Sequence, residues 1–189
     1  MYNSVVIADD EPITRMDLSE ILRESGYKVV GEASDGFDAV ELCRKLRPDV
    51  VLMDVKMPLL DGLKATKIIV QEDLANSVVI LTAYSGKEFI EQAKEAGVMG
   101  YLIKPIDEKL LMPAIEVAIW NGKEFEKMRK NIQEVNEQLE TRKVVERAKG
   151  IVMQKDNVSE QEAYHRIRKL SMDKRCTMKQ IASTIVINA

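Results

Sequence analysis

The sequence predicts an α/β fold, a doubly wound five-stranded parallel sheet, over residues 1–120, followed by a coiled-coil helix and a small three-helix bundle. Three observations point there. Five short apolar runs alternate with stretches of helical periodicity. Four of those runs end at, or one residue before, a polar group: Asp9, Asp54, Thr82 and Lys104. The net charge then changes sign, from −8 over residues 1–122 to +5 over residues 123–189, so an acidic front precedes a basic back that suits a polyanion.

The first strand, residues 4–8, ends in Asp9-Asp10-Glu11. Pro12 follows, where the first turn of a helix tolerates a missing N–H. The helix over residues 13–25 carries Met16, Leu18, Ile21 and Leu22 toward a core and closes at Gly26. Residues 28–33 form the second strand. A second helix starts at Asp35 or Gly36, contains Ala39, Val40, Leu42, Cys43 and Leu46, and is ended by Pro48. The third strand is strongly apolar, Val50-Val51-Leu52-Met53 stopping at Asp54, and Pro58 with Asp61-Gly62 marks the loop beyond it. A third helix runs through Ala65, Ile68, Ile69 and Val70; the fourth strand covers 77–82, the fourth helix 86–96 and the fifth strand 99–103. Asp107 caps a fifth helix that heads toward Trp120.

Right-handed crossovers leave few topologies for five such units, and the strand order 2-1-3-4-5 is the commonest. It joins the carboxyl ends of the first and third strands at the switch point, with Asp9, Asp10 and Asp54, and sets Thr82 and Lys104 beside them. Converging carboxylates repel one another, and a cation answers the repulsion. Magnesium takes oxygen ligands with one or two direct carboxylates, which Asp10, Asp54 and the backbone carbonyl near Lys56 supply. A metal-bound carboxylate facing a lysine and a hydroxyl is a phosphoryl-acceptor site. At Lys104-Pro105 a cis bond is accessible, since only X-Pro allows it cheaply. Taken singly, such residues are ordinary loop acids, strand formers and core rings; the joint pattern singles out Asp54, Asp10 and Lys104.

No apolar run approaches the ~20 residues a membrane span needs, and the N-terminus has no signal-like pattern, so a cytoplasmic protein is expected. Cys43 and Cys176 have no CxxC spacing and read as reduced thiols. His165 is the only histidine, which argues against histidine-based catalysis or metal ligation.

Beyond Trp120, Phe125, Met128, Ile132, Val135 and Leu139 fall at heptad spacing, a coiled-coil signal that favours a homodimer over packing back on the chain. Asn121-Gly122 is the weak point of an otherwise continuous helix. Residues 142–189 hold 11 Lys and Arg against 5 Asp and Glu. Gly150 inside a helix costs ~1 kcal/mol against Ala and hints at a close approach. Ser159 to Glu162 and Thr177 to Gln180 read as capping boxes that start two further helices.

The segments D-D-E, V-L-M-D-V-K-M-P-x-x-D-G, L-T-A and Y-L-I-K-P, in that order, resemble the receiver domains of two-component response regulators over residues 1–120. The resemblance implies a sensor histidine kinase as partner, Asp54 as phosphoacceptor, and magnesium held by Asp9, Asp10, Asp54 and the backbone carbonyl of Lys56. It further implies Lys104 as phosphate partner and Thr82 with Tyr101 as a switch pair. Phosphatases of the haloacid dehalogenase type also use a strand-end Asp but need a second acid two residues on, where this chain has Lys56, so no turnover enzyme is expected.

Arg142, Ala148-Lys149-Gly150-Ile151-Val152-Met153, Ser159, Glu162-Ala163-Tyr164 and Ser171-Met172-Asp173 resemble the ANTAR domain, over residues 142–189 with 121–141 as coiled-coil linker. That implies binding of RNA hairpins in nascent transcripts, which prevents transcription termination, as in the ethanolamine-utilisation antiterminators. Arg142, Arg147, Lys149, Gly150, Arg166 and Arg168 are the RNA-binding candidates, and Tyr164 is assigned to the core ahead of base stacking. The alternative is a tail that binds DNA or another protein.

Overall fold

The computed structural model describes residues 3–189. The elements are β1 (Ser4–Ala8), α1 (Pro12–Glu24), β2 (Lys28–Ala33), α2 (Gly36–Leu46), β3 (Val50–Asp54), α3 (Gly62–Gln71), β4 (Val78–Thr82), α4 (Lys87–Ala96), β5 (Gly100–Ile103), α5 (Glu108–Asp156), α6 (Glu160–Lys174) and α7 (Met178–Ile187). Two compact units divide between Lys127 and Met128, so α5 contributes to both.

In the first unit a five-stranded parallel sheet has the order β2-β1-β3-β4-β5. The strand period of two splits its side chains between two cores. Val6, Ala8, Val51, Met53 and Ile80 pack with Ala39, Cys43, Ala65 and Ile69 of α2 and α3. Val5, Ile7, Leu52, Val79 and Leu81 pack on the other face with Leu18 and Leu22 of α1 and Leu111 and Ile115 of α5. Met16 departs from its expected core position and is 69% exposed. Two residues before Leu18, it lies about 200° around the helix from the buried stripe. Cys43 and Cys176 are unpaired, and burial pushes the Cys43 thiol up to about 12.

The helix starts follow the sequence chemistry. Pro12 opens α1, and the Asp35 carboxylate accepts from the Phe37 and Asp38 N–H groups at the start of α2. Two glycines answer tight backbone approaches. A Cβ on Gly62 would overlap the carbonyl oxygen of Asp54, and one on Gly122 would overlap that of Asn76. Gly122 is therefore a contact point within an unbroken helix where the sequence suggested a weak point.

In the second unit Val145, Ala148, Ile167 and Ala182 form the centre of a core shared by α5, α6 and α7. Thr177 and Gln180 make the full reciprocal capping box at α7. At α6 only half of the expected box forms: Ser159 accepts from the Glu162 N–H, while the Glu162 carboxylate turns to Arg166. An ion pair has replaced the return hydrogen bond. The heptad residues Met128, Ile132, Val135 and Leu139 are 50–62% exposed, and Phe125 is 52% exposed, so at least half of each side chain in this stripe stays open to water. No helix among the described residues is long and apolar enough to cross a membrane.

Gly62→Ala is expected to lower the unfolding free energy of the first unit by about 3 kcal/mol in urea titrations, because overpacking against backbone cannot relax. Gly86→Ala, whose Cβ would meet only the Phe89 ring at ordinary contact, is expected to change it by less than about 1 kcal/mol.

Candidate functional site

The carboxyl ends of β1 and β3 are adjacent because those strands pair in parallel register, Ala8 opposite Met53. Asp9 follows β1 directly, Asp54 ends β3, and Asp10 stands exposed at the rim. Carboxylate oxygens of all three lie within 4.8 Å of one another. Asp9 is fully buried, its Oδ1 accepts the Glu11 N–H at 3.0 Å, and Arg15 donates to its carbonyl at 2.6 Å. Lys104 Nζ reaches both buried acids, 2.6 Å from Asp9 Oδ2 and 3.2 Å from Asp54 Oδ1. Its backbone N–H donates to the Thr82 carbonyl, and the peptide bond to Pro105 is cis.

Thr82 ends β4 one residue beyond Leu81, the register partner of Asp54. Its buried Oγ1 accepts the N–H of Tyr84 at 3.1 Å. The Tyr101 hydroxyl donates to the carbonyl of the same Tyr84. The Tyr84 ring stacks on Phe89 of α4 at 4.7 Å, and the Lys56 ammonium sits over it at 4.9 Å. Sequence reasoning brought together Asp9, Asp10, Asp54 and Lys104, and it missed Tyr84, through which Thr82, Tyr101, Lys56 and α4 all connect. The only signal in the chain was an aromatic two residues past Thr82.

Burial raises the Asp54 pKa above the ordinary carboxylate range; Lys104 opposes that rise and Asp9 adds to it. For Lys104, burial works against the charge, but the hydrogen bond to Asp9 and the charge of Asp54 outweigh it and push the pKa up. Three carboxylates face this one ammonium, leaving an all-oxygen site with surplus negative charge that suits a hard divalent cation.

In the second unit the candidate cations separate into two kinds. Lys149 is only 7% exposed and its ammonium is shared by Glu146 at 2.7 Å and Glu160 at 2.6 Å, so it clasps α5 to the start of α6. Arg166 is paired with Asp156 at 2.7 Å and, more loosely, with Glu162. Arg142, Arg147 and Arg168 are exposed. Tyr164, expected in the core, is 37% exposed and shares with Arg142 and Met178 a cleft of about 550 Å³. Ala163 and Ile167 occupy the inward positions of α6 instead. Gly150, for which the sequence suggested a close approach, has no close neighbour among the described residues: a Cβ there would meet nothing of them within 4 Å.

An Asp whose pKa is raised on folding binds protons more tightly folded than unfolded, so its contribution to stability falls as pH rises above the ordinary carboxylate value. In metal-free buffer Asp54→Asn is therefore expected to raise the thermal midpoint at pH 7. The gain should vanish as pH falls toward ~4, as checked by a pH series of thermal melts.

Residues 5–116 match the response regulator receiver domain family, and residues 133–186 match the ANTAR domain family. The transcriptional regulatory protein PdtaR of Mycobacterium tuberculosis is 46% identical over 182 residues, covering 96% of this chain and 88% of that protein. The response regulator domain of Thermotoga maritima CheB superposes with a TM-score of 0.59 at 30% identity, covering 63% of this chain and 97% of that domain. The receiver domain of the sensor histidine kinase PA1611 of Pseudomonas aeruginosa, solved with magnesium coordinated in its active site cleft, superposes with a TM-score of 0.57 at 28% identity, over 63% of this chain and 98% of that domain. With the acid pocket of its parallel sheet and the helical unit that follows, the chain belongs to the response regulators, as a receiver domain joined to an ANTAR domain.

Proposed function

We propose that this chain is a phosphorylation-activated response regulator whose output is the capture of RNA hairpins in nascent transcripts, which keeps a terminator from forming. The observation that carries the reading is the Lys104 ammonium held between Asp9 and Asp54 at the strand ends, in a chain whose other unit matches an ANTAR domain. A carboxylate oxygen of Asp54 bonds to phosphorus while the bond between phosphorus and the kinase histidine breaks. Asp9, Asp10, Asp54 and the backbone carbonyl of Lys56 would hold magnesium, which neutralises phosphoryl oxygens. Lys104 supplies the remaining positive charge to the product.

Phosphorylation replaces the Asp54 carboxylate, which carries −1, by an acyl phosphate that carries about −2 and three further acceptor oxygens. Thr82, whose oxygen accepts from Tyr84 N–H, keeps its hydroxyl proton to donate to that group. Its movement draws on Tyr84, and through Tyr84 on Tyr101 and Phe89. This is a stoichiometric switch rather than a turnover enzyme, and it works in the cytoplasm, where transcripts emerge. Phosphorylation favours a homodimer paired through Phe125, Met128, Ile132, Val135 and Leu139, whose exposed side chains gain burial only from a partner. The domains are then a receiver over 1–120, a coiled-coil linker over 121–141 and an ANTAR unit over 142–189. Arg142, Arg147 and Arg168 lead the RNA contacts, Gly150 and Arg166 join them, and Lys149 acts through its clasp. Two weak RNA contacts on one dimer become one avid contact.

Gel shifts with a tandem-hairpin RNA, a hairpin-free RNA and duplex DNA, with and without acetyl phosphate and magnesium, test this directly. The donor is expected to raise tandem-hairpin affinity at least about tenfold and to leave Asp54→Asn unresponsive. Ile132→Asp should keep the chain monomeric in sedimentation and remove the gain. Equal binding to all three nucleic acids would sink the RNA reading, and an Asp54→Asn chain that still responds would sink the phosphorylation link.

A further inference from the structure

Between Arg142 and Asp156, α5 has two opposite faces. Val145, Ala148, Lys149 and Val152 turn inward, to the shared core and to the Glu160 carboxylate. Lys143, Arg147, Gly150 and Gln154 recur at spacings of four, three and four, about 180° around the helix from that core, along roughly 16 Å of its length. Arg147 and Gln154 are exposed. Lys143 holds Glu140 at 2.8 Å in a pair exposed on both sides, which a phosphate displaces at little cost.

Gly150 stands in the middle of this strip. Glycine is unfavourable inside a helix, and within the unit nothing requires it, because no neighbour lies within 4 Å of where its Cβ would be. Gly62 and Gly122 differ, since backbone carbonyls of the chain itself exclude a side chain at those positions. Among the described residues, none accounts for the bare backbone at Gly150.

We propose that this strip is where an RNA ribose–phosphate backbone lies against α5, with Gly150 as the point of closest approach. The inference rests on the RNA-binding reading and locates its surface. A second copy of the chain is the other candidate occupant, and the strip does not suit it. The apolar heptad stripe ends at Leu139, its next positions are Arg142, Glu146 and the buried Lys149, and the strip offers no apolar side chain to bury. Two cations with no acid among the four residues match a polyanion. The wide, shallow minor groove of an RNA helix presents 2′-hydroxyls and sugars to a smooth surface, and the Gln154 amide one turn on can both donate to and accept from a 2′-hydroxyl. Lys143 and Arg147 then meet phosphates two turns and one turn before the glycine, respectively.

The test is Gly150→Ala in the full chain with acetyl phosphate and magnesium, against a pool of RNA hairpins with randomised loops. Stability and binding are expected to move in opposite directions. The thermal midpoint rises by about 3 °C as helix propensity improves, while hairpin affinity falls about tenfold and the sedimentation profile stays that of the wild type. Arg147→Gln lowers the slope of log affinity against log salt by about one. Wild-type protein that does not retain the hairpin pool over duplex DNA overturns the RNA-binding reading and this inference with it. Wild-type binding with an undiminished Gly150→Ala variant overturns the inference alone, as does a Gly150→Ala variant whose loss of binding tracks a loss of dimer.

Discussion

Lys104 Nζ lies within ion-pair distance of two carboxylates that are almost wholly removed from water. For Asp54, burial makes the carboxylate reluctant to ionise, and the Lys104 ammonium, shared with Asp9, offsets that incompletely. The rest of the receiver unit follows from this imbalance. The parallel pairing of β1 with β3 places the acids together, the β4–β5 pairing brings in the lysine, and Gly62 lets the loop after Asp54 close tightly enough to leave the pocket open above it. A pocket with surplus negative charge and one fixed cation is poised for a charged ligand, because any group that changes its charge shifts every neighbour.

Tyr84 is the place where such a shift leaves the pocket. Its N–H binds Thr82, its carbonyl receives the Tyr101 hydroxyl, and its ring lies between the Lys56 ammonium and Phe89 of α4. Thr82 is thereby tied beyond the pocket, because the residue that meets its hydroxyl oxygen also holds the Tyr101 hydroxyl of β5 and stacks on Phe89 of α4. These named contacts are the physical linkage on which the proposed switch draws.

In the helical unit the small core is built from one face of α5 and short stripes of α6 and α7. Lys149 reinforces it by holding two glutamates from successive helices. Lys149, an RNA-contact candidate in the sequence, is drawn under a neighbouring helix, where Glu146 and Glu160 take up two of its three donors. The exposed Arg142, Arg147 and Arg168 and the half-open Tyr164 are different in kind, since their donors and ring face water.

The sheet and its order were legible in the sequence because period-two apolar runs and right-handed crossovers leave little choice, and so was the meeting of Asp9, Asp10, Asp54 and Lys104, which strand ends dictate. Helix periodicity carried much of the rest of the core, but it misplaced Met16 and Tyr164, which sit off the buried faces of correctly read helices. What residue types and spacings by themselves determined was which elements form and which groups the strand ends present. Only the tertiary structure decided which polar groups are already satisfied: that Glu162 turns from its cap to Arg166, that Lys149 is clasped, that Tyr84 joins Thr82 and Tyr101, and that no described residue fills the space at Gly150. Each of these depends on which of several candidate partners the folded chain brings within reach, or on a neighbour's absence, and local periodicity encodes neither.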